Sequence, residues 1–159
     1  MASNYGFLLD IFFTGFIFNH FFLVLMLSGK ILPAYVWTIF VFLLCSMPGK
    51  AIPKFSWLEL ISFDKFVHAG IFFMLQQLYI HGFSTQNKNM FLKKNYLIFP
   101  LVFCILFGAS LEIMQSKIFS ERSGDLGDFI ANTIGVILGT ILYPKTKAVL
   151  IRFYDLIKI

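Results

Sequence analysis

The sequence predicts an all-α fold, a polytopic membrane bundle of four to five transmembrane helices with a C-terminal amphipathic surface helix. Three observations carry this. Of 159 residues, 58% are apolar and only 13% charged, against about 25% charged in soluble domains, and the mean hydropathy is +0.82. Twenty-two are Phe, more than a water-soluble core of this size could bury without leaving large sticky patches. The apolar residues also fall into five runs, separated by short stretches that hold most of the Lys and Arg.

The first run, residues 7–28, is long enough to cross the roughly 30 Å hydrocarbon layer at about 1.5 Å per residue. It lacks the basic start and the small-residue cleavage site of a secretory signal. We take residues 1–30 as an N-terminal apolar extension or an extra transmembrane helix. The second run, Ile31 to Met47, has Pro33 near its start, where a missing N–H is harmless, and ends at Pro48-Gly49. The segment GKAIPKFSWLELISF that follows mixes Lys50, Lys54 and Glu59 with Trp57 and Leu60, the composition of a chain lying at the membrane surface.

Asp64 and Lys65 introduce the third run, Phe66 to Phe83, and a polar, basic loop carrying His81 leads to the fourth, Tyr96 to Met114, where Pro100 falls in the first turn or so. The fifth, Leu126 to Tyr143, is expected to close at Pro144. Its Gly135 and Gly139 form a GxxxG pair that permits close helix approach. Residues 144–159 place Val149, Leu150, Phe153, Leu156 and Ile157 on one half of a helical wheel and Lys145, Arg152, Asp155 and Lys158 on the other. That pattern fits a tail lying along the surface.

The net charge of +5 and pI near 9.3 do not point to nucleic acid, because the basic residues are spread among loops and not gathered in one patch. With five spans, Lys30, Lys88, Lys93, Lys94, Lys145, Lys147, Arg152 and Lys158 share one side, against Lys50, Lys54, Lys65, Lys117 and Arg122 on the other. The positive-inside rule then makes the first side, and the C-terminus, cytoplasmic. Cys45 and Cys104 lie inside apolar runs and suggest neither a disulfide framework nor a thiolate metal site.

Polar residues collect where they are costly. Asp64, Lys65 and His68 lie at the outer end of the third run and Glu112 and Gln115 at the outer end of the fourth. Arg122, Asp125, Asp128 and Asn132 follow in the next turn and at the start of the fifth. The pairs Asp64/His68, Glu112/Gln115 and Asp128/Asn132 are spaced i, i+4 or i, i+3, so each shares a helix face. Ionisable groups in hydrocarbon cost roughly 2.5 to 3.5 kcal/mol each at mid-membrane and turn inward to partners or water. A shared pocket on the extracytoplasmic border is the expected outcome, although Asp64 and Asp125 are equally well placed as helix N-caps.

The elements DKFVH (64–68), LEIMQ (111–115) and ERSGDLGDFIANTIGVILG (121–139) resemble the VanZ-like family of small bacterial membrane proteins, over residues 31–143. The resemblance implies a multi-pass protein of the bacterial cytoplasmic (inner) membrane, in some cases lowering sensitivity to lipoglycopeptides such as teicoplanin. It supplies no established reaction.

Two functions stay open at this level. In the enzymatic one, His68 is general acid or base, Glu112 or Asp128 orients it or activates water, and Lys65 and Arg122 hold an anionic phosphate or carboxylate. Asp64, Gln115, Asp125 and Asn132 complete the substrate-binding set. The substrates and partners would be membrane lipids or lipid-linked cell-wall intermediates. In the other, the same pocket binds without turnover, as part of a scaffold in envelope homeostasis. A variant places a divalent ion between His68, Glu112 and Asp128, but no HExxH or similar spacing supports it, so no metal is expected, and the sequence identifies no cofactor.

Overall fold

The computed structural model describes residues 29–46, 63–117 and 124–158. The first apolar run, the surface segment after Pro48 and Arg122 lie outside the described residues. Within them the chain is helical: a short 3-10 turn (Gly29–Ile31), then α1 (Leu32–Ser46), α2 (Phe63–Thr85), α3 (Met90–Lys94), α4 (Ile98–Lys117) and α5 (Leu126–Leu156). Three segments, Gly29–Ser46, Ile98–Lys117 and Leu126–Leu156, are long and apolar enough to cross a membrane.

Local chemistry sets most boundaries. Pro33 and Pro100 sit in the first turns of α1 and α4, where their missing N–H groups remove no intrahelical bond. Asn89 caps α3, its Oδ1 accepting from the amides of Phe91 and Leu92, and Asp125 caps α5, its Oδ1 accepting from the amide of Gly127 at 2.8 Å.

α2 is the hub, packing most extensively on α5 and also touching α1 and α4. Phe72, Leu75, Tyr79 and Ile80 of α2 are all but fully buried. Tyr79 meets Phe103 with ring centroids 5.0 Å apart, and Phe72 meets Phe107 at 6.0 Å, separations at which aromatic pairs add to area burial. The outer faces of α1, α4 and α5 expose Val36, Ile39, Leu106, Ile113, Ile134 and Ile141. Surfaces this apolar suit lipid and not water.

A polar seam runs between α2 and α5. Gln76 Nε2 donates to Thr140 Oγ1 at 2.9 Å, Gln77 Nε2 donates to the carbonyl of Gly139 at 2.8 Å, and Thr146 Oγ1 donates to Gln77 Oε1 at 2.7 Å. Ser84 and the hydroxyl of Tyr143 pair at 3.0 Å, and that hydroxyl also meets His81 Nδ1 at 3.3 Å. The helices approach closely because a Cβ on Gly135 would fall onto the carbonyl of Ala69. The GxxxG pair serves this contact.

Two expectations change here. Pro144 does not end the last helix, which continues to Leu156. Packing overrides the proline because α2 holds the chain on both sides of it, through Tyr143 and Thr146, with Leu150 and Tyr154 buried beyond. The tail is therefore an extension of α5, and of its expected apolar stripe only Leu150 is buried. His81, expected in a polar loop, lies inside α2, buried, with its ring 4.4 Å from that of Tyr154.

Candidate functional site

The polar corner forms where the start of α2, the end of α4 and the start of α5 meet. His68, Glu112 and Asp128 each offer a donor atom, and the three atoms lie within 4.8 Å of one another. Each residue comes from a different helix.

Around this trio the partners are specific. His68 Nδ1 donates to Asn132 Oδ1 at 3.1 Å, because a carbonyl oxygen can only accept. That fixes Nε2 of the neutral ring as the lone-pair nitrogen, and it faces Asp128 Oδ2 at 3.7 Å, beyond hydrogen-bond range. Both side chains are about 15% exposed, sheltered yet reachable. Glu112 Oε2 accepts from the amide of Asp125 at 3.0 Å, tying α4 to the cap of α5. Its other oxygen, Oε1, is buried without a hydrogen-bond partner among the described residues, as is Asn132 Nδ2. Gly124 makes the tie possible, since a Cβ there would collide with the carbonyl of Glu112.

Lys65 spans the mouth. Its Nζ lies 3.1 Å from Asp125 Oδ2, 3.3 Å from Asp128 Oδ1 and 3.5 Å from Asp64 Oδ2. Asp125, which precedes the membrane-length segment Leu126–Leu156, is held below the usual carboxylate range by the Gly127 amide first and by Lys65 second. Beside the trio, an open groove of about 320 Å³ runs between α4 and α5. Glu112 and Asp125 line its polar end, and Ala109, Ile113, Leu126 and Phe129 line its apolar walls.

Two residues expected to touch substrate face elsewhere. Gln115 is buried, and its Nε2 donates to the carbonyl of Cys45 at 3.1 Å. It satisfies one of the last carbonyls of α1 and joins α1 to α4. Asn132, 2% exposed, stands behind His68 and sets its ring, so it is a positioning residue. Asp64 is exposed and in the first turn of α2, where the helix dipole favours an acid. The seam residues Gln76 and Gln77 were not picked out from sequence, although adjacent Gln residues midway along an apolar helix are the signal that marks them.

No protein-family model, no curated protein and no solved structure matches the chain.

Proposed function

We propose that this chain is a protein of the bacterial cytoplasmic membrane with four to five spans that binds or processes an anionic lipid, or a lipid-linked cell-wall intermediate, at the extracytoplasmic border. α2 then crosses as the inner helix, its Gln and His side chains hydrogen-bonded to α5 while the three apolar helices face lipid.

The observation that carries the reading is the meeting of His68, Glu112 and Asp128 from three helix ends, next to a groove with one polar end and apolar walls. An amphiphile fits such a groove with its chain along Ile113 and Phe129 and its anionic head group at the mouth, beside the Lys65 ammonium. In the sheltered corner, His68, Glu112 and Asp128 converge beside the groove, where together they are placed to activate an attacking water. The elements that resemble the VanZ-like family are those that supply the trio, which favours a role in the envelope and in lipoglycopeptide sensitivity.

The test is mass spectrometry of envelope lipids from cells with and without the protein, and with His68→Ala at matched membrane level. An anionic species that accumulates or vanishes only with the parent chain supports processing. Lipid profiles identical in all three, together with unchanged teicoplanin sensitivity, would end the proposal.

A further inference from the structure

We propose that His68, Glu112 and Asp128 bind a divalent transition-metal ion, zinc or manganese, with His68 Nε2 and one oxygen of each carboxylate as ligands.

Geometry comes first. Ligands about 2.0 to 2.2 Å from a tetrahedral ion stand roughly 3.3 to 3.6 Å apart. The His68 Nε2 to Asp128 Oδ2 separation is 3.7 Å, and the three-atom group spans no more than 4.8 Å. Side-chain rotation of about 1 Å closes the set around an ion.

The second argument is unmet polarity. Nε2 and Asp128 Oδ2 face each other at 3.7 Å without a hydrogen bond, and Glu112 Oε1 is a buried acceptor without a partner among the described residues, on a residue only 9% exposed. Buried acceptors in that state are costly, and a single cation among them satisfies all three. Asn132 supports the same conclusion, since a metal-binding His ordinarily gives its other N–H to a neighbouring oxygen that fixes tautomer and ring.

Charge balance adds a third. Asp64, Asp125 and Asp128 gather around Lys65, and Glu112 lies beside Asp128, an excess of carboxylate among the described residues that would repel an anionic head group. A dication reverses the local potential. One imidazole with two carboxylates suits zinc or manganese, and three protein ligands leave a position open for water or a phosphate oxygen. What the open position faces rests on the proposed function; the binding of the ion does not.

The experiment uses the full chain purified in detergent, stripped with chelator, dialysed separately against Zn²⁺ and Mn²⁺, and analysed by inductively coupled plasma mass spectrometry. We expect one ion per chain. Glu112→Gln and Asp128→Asn should each weaken binding at least tenfold, Asn132→Ala by about 10- to 100-fold, and Asp155→Asn, remote and exposed, not at all. Because a variant could lose its fold, the Mn²⁺-loaded parent chain is also examined by pulsed electron paramagnetic resonance, where nitrogen coupling from a single imidazole is expected. A parent chain that takes up neither ion, equal uptake by Glu112→Gln and Asp128→Asn, or Mn²⁺ without nitrogen coupling would each overturn the metal centre. A metal-free chain that still alters envelope lipids would do so while leaving the proposed function standing.

Discussion

Replacing Gly135 by Ala separates two effects that usually travel together. Ala is the better helix former by up to about 1 kcal/mol, so in an isolated helix the change stabilises. At Gly135, however, the new methyl falls onto the carbonyl of Ala69, with the Cα of Ala69 at 3.0 Å. Neither obstacle can rotate away, so α2 and α5 must part by on the order of 1 Å in an interior that is close-packed. Overpacking costs typically 1 to 3 kcal/mol, and each stretched seam hydrogen bond adds about 0.6 kcal/mol. We expect a net loss of about 2 kcal/mol for Gly135→Ala. Gly139 is the internal control: its nearest atoms are Gln76 Cβ and the Phe73 carbonyl oxygen, both at 3.0 Å, so a shift of a few tenths of an ångström suffices and Gly139→Ala should lose less than about 1 kcal/mol. Unfolding by SDS in mixed micelles, followed by circular dichroism, reads both. Equal destabilisation of the two variants, or a neutral Gly135→Ala, would refute the argument from close approach.

Gln115→Ala should cost about 1 kcal/mol by removing the hydrogen bond that joins α4 to the Cys45 carbonyl. It should also speed maleimide labelling of Cys45 while Cys104, fully buried in α4, stays slow; unchanged Cys45 labelling would count against the strut. Asp125→Asn keeps a good cap but removes the charge facing Lys65. Because the folded-state value of Asp125 is depressed, its ionic contribution is present above the ordinary carboxylate value and is lost as pH falls through the lower folded value. The parent should therefore exceed Asp125→Asn in stability at neutral pH and low salt and converge with it in strong acid, and a gap that persists in acid would contradict this.

Much of the corner was legible in sequence because its residues sit at helix ends, where topology alone assigns depth. Asp128 and Asn132 lie four apart, and the structure turns both toward His68. Gln115 misled because a three-residue step rotates a side chain by about 60°, enough to send Glu112 toward α5 and Gln115 toward α1. A metal set drawn from three helices leaves no local spacing to find. Pro144 failed as a stop signal because propensity is local whereas the hold of Tyr143 and Thr146 on α2 is tertiary. The pairing of Gln76, Gln77 and His81 with α5 was not legible, because the groups that face them lie about 60 residues on in the chain.

The seam has a consequence for biogenesis. On the proposed topology, α2 leaves the ribosome long before Thr140, Tyr143 and Thr146, the groups that hydrogen-bond its glutamines and histidine, have been made. Released alone into lipid, it would carry unsatisfied amides into hydrocarbon. Its insertion is therefore tied to the synthesis of α5, so a chain truncated before Leu126 should be handed to membrane quality control and not accumulate as a partial bundle.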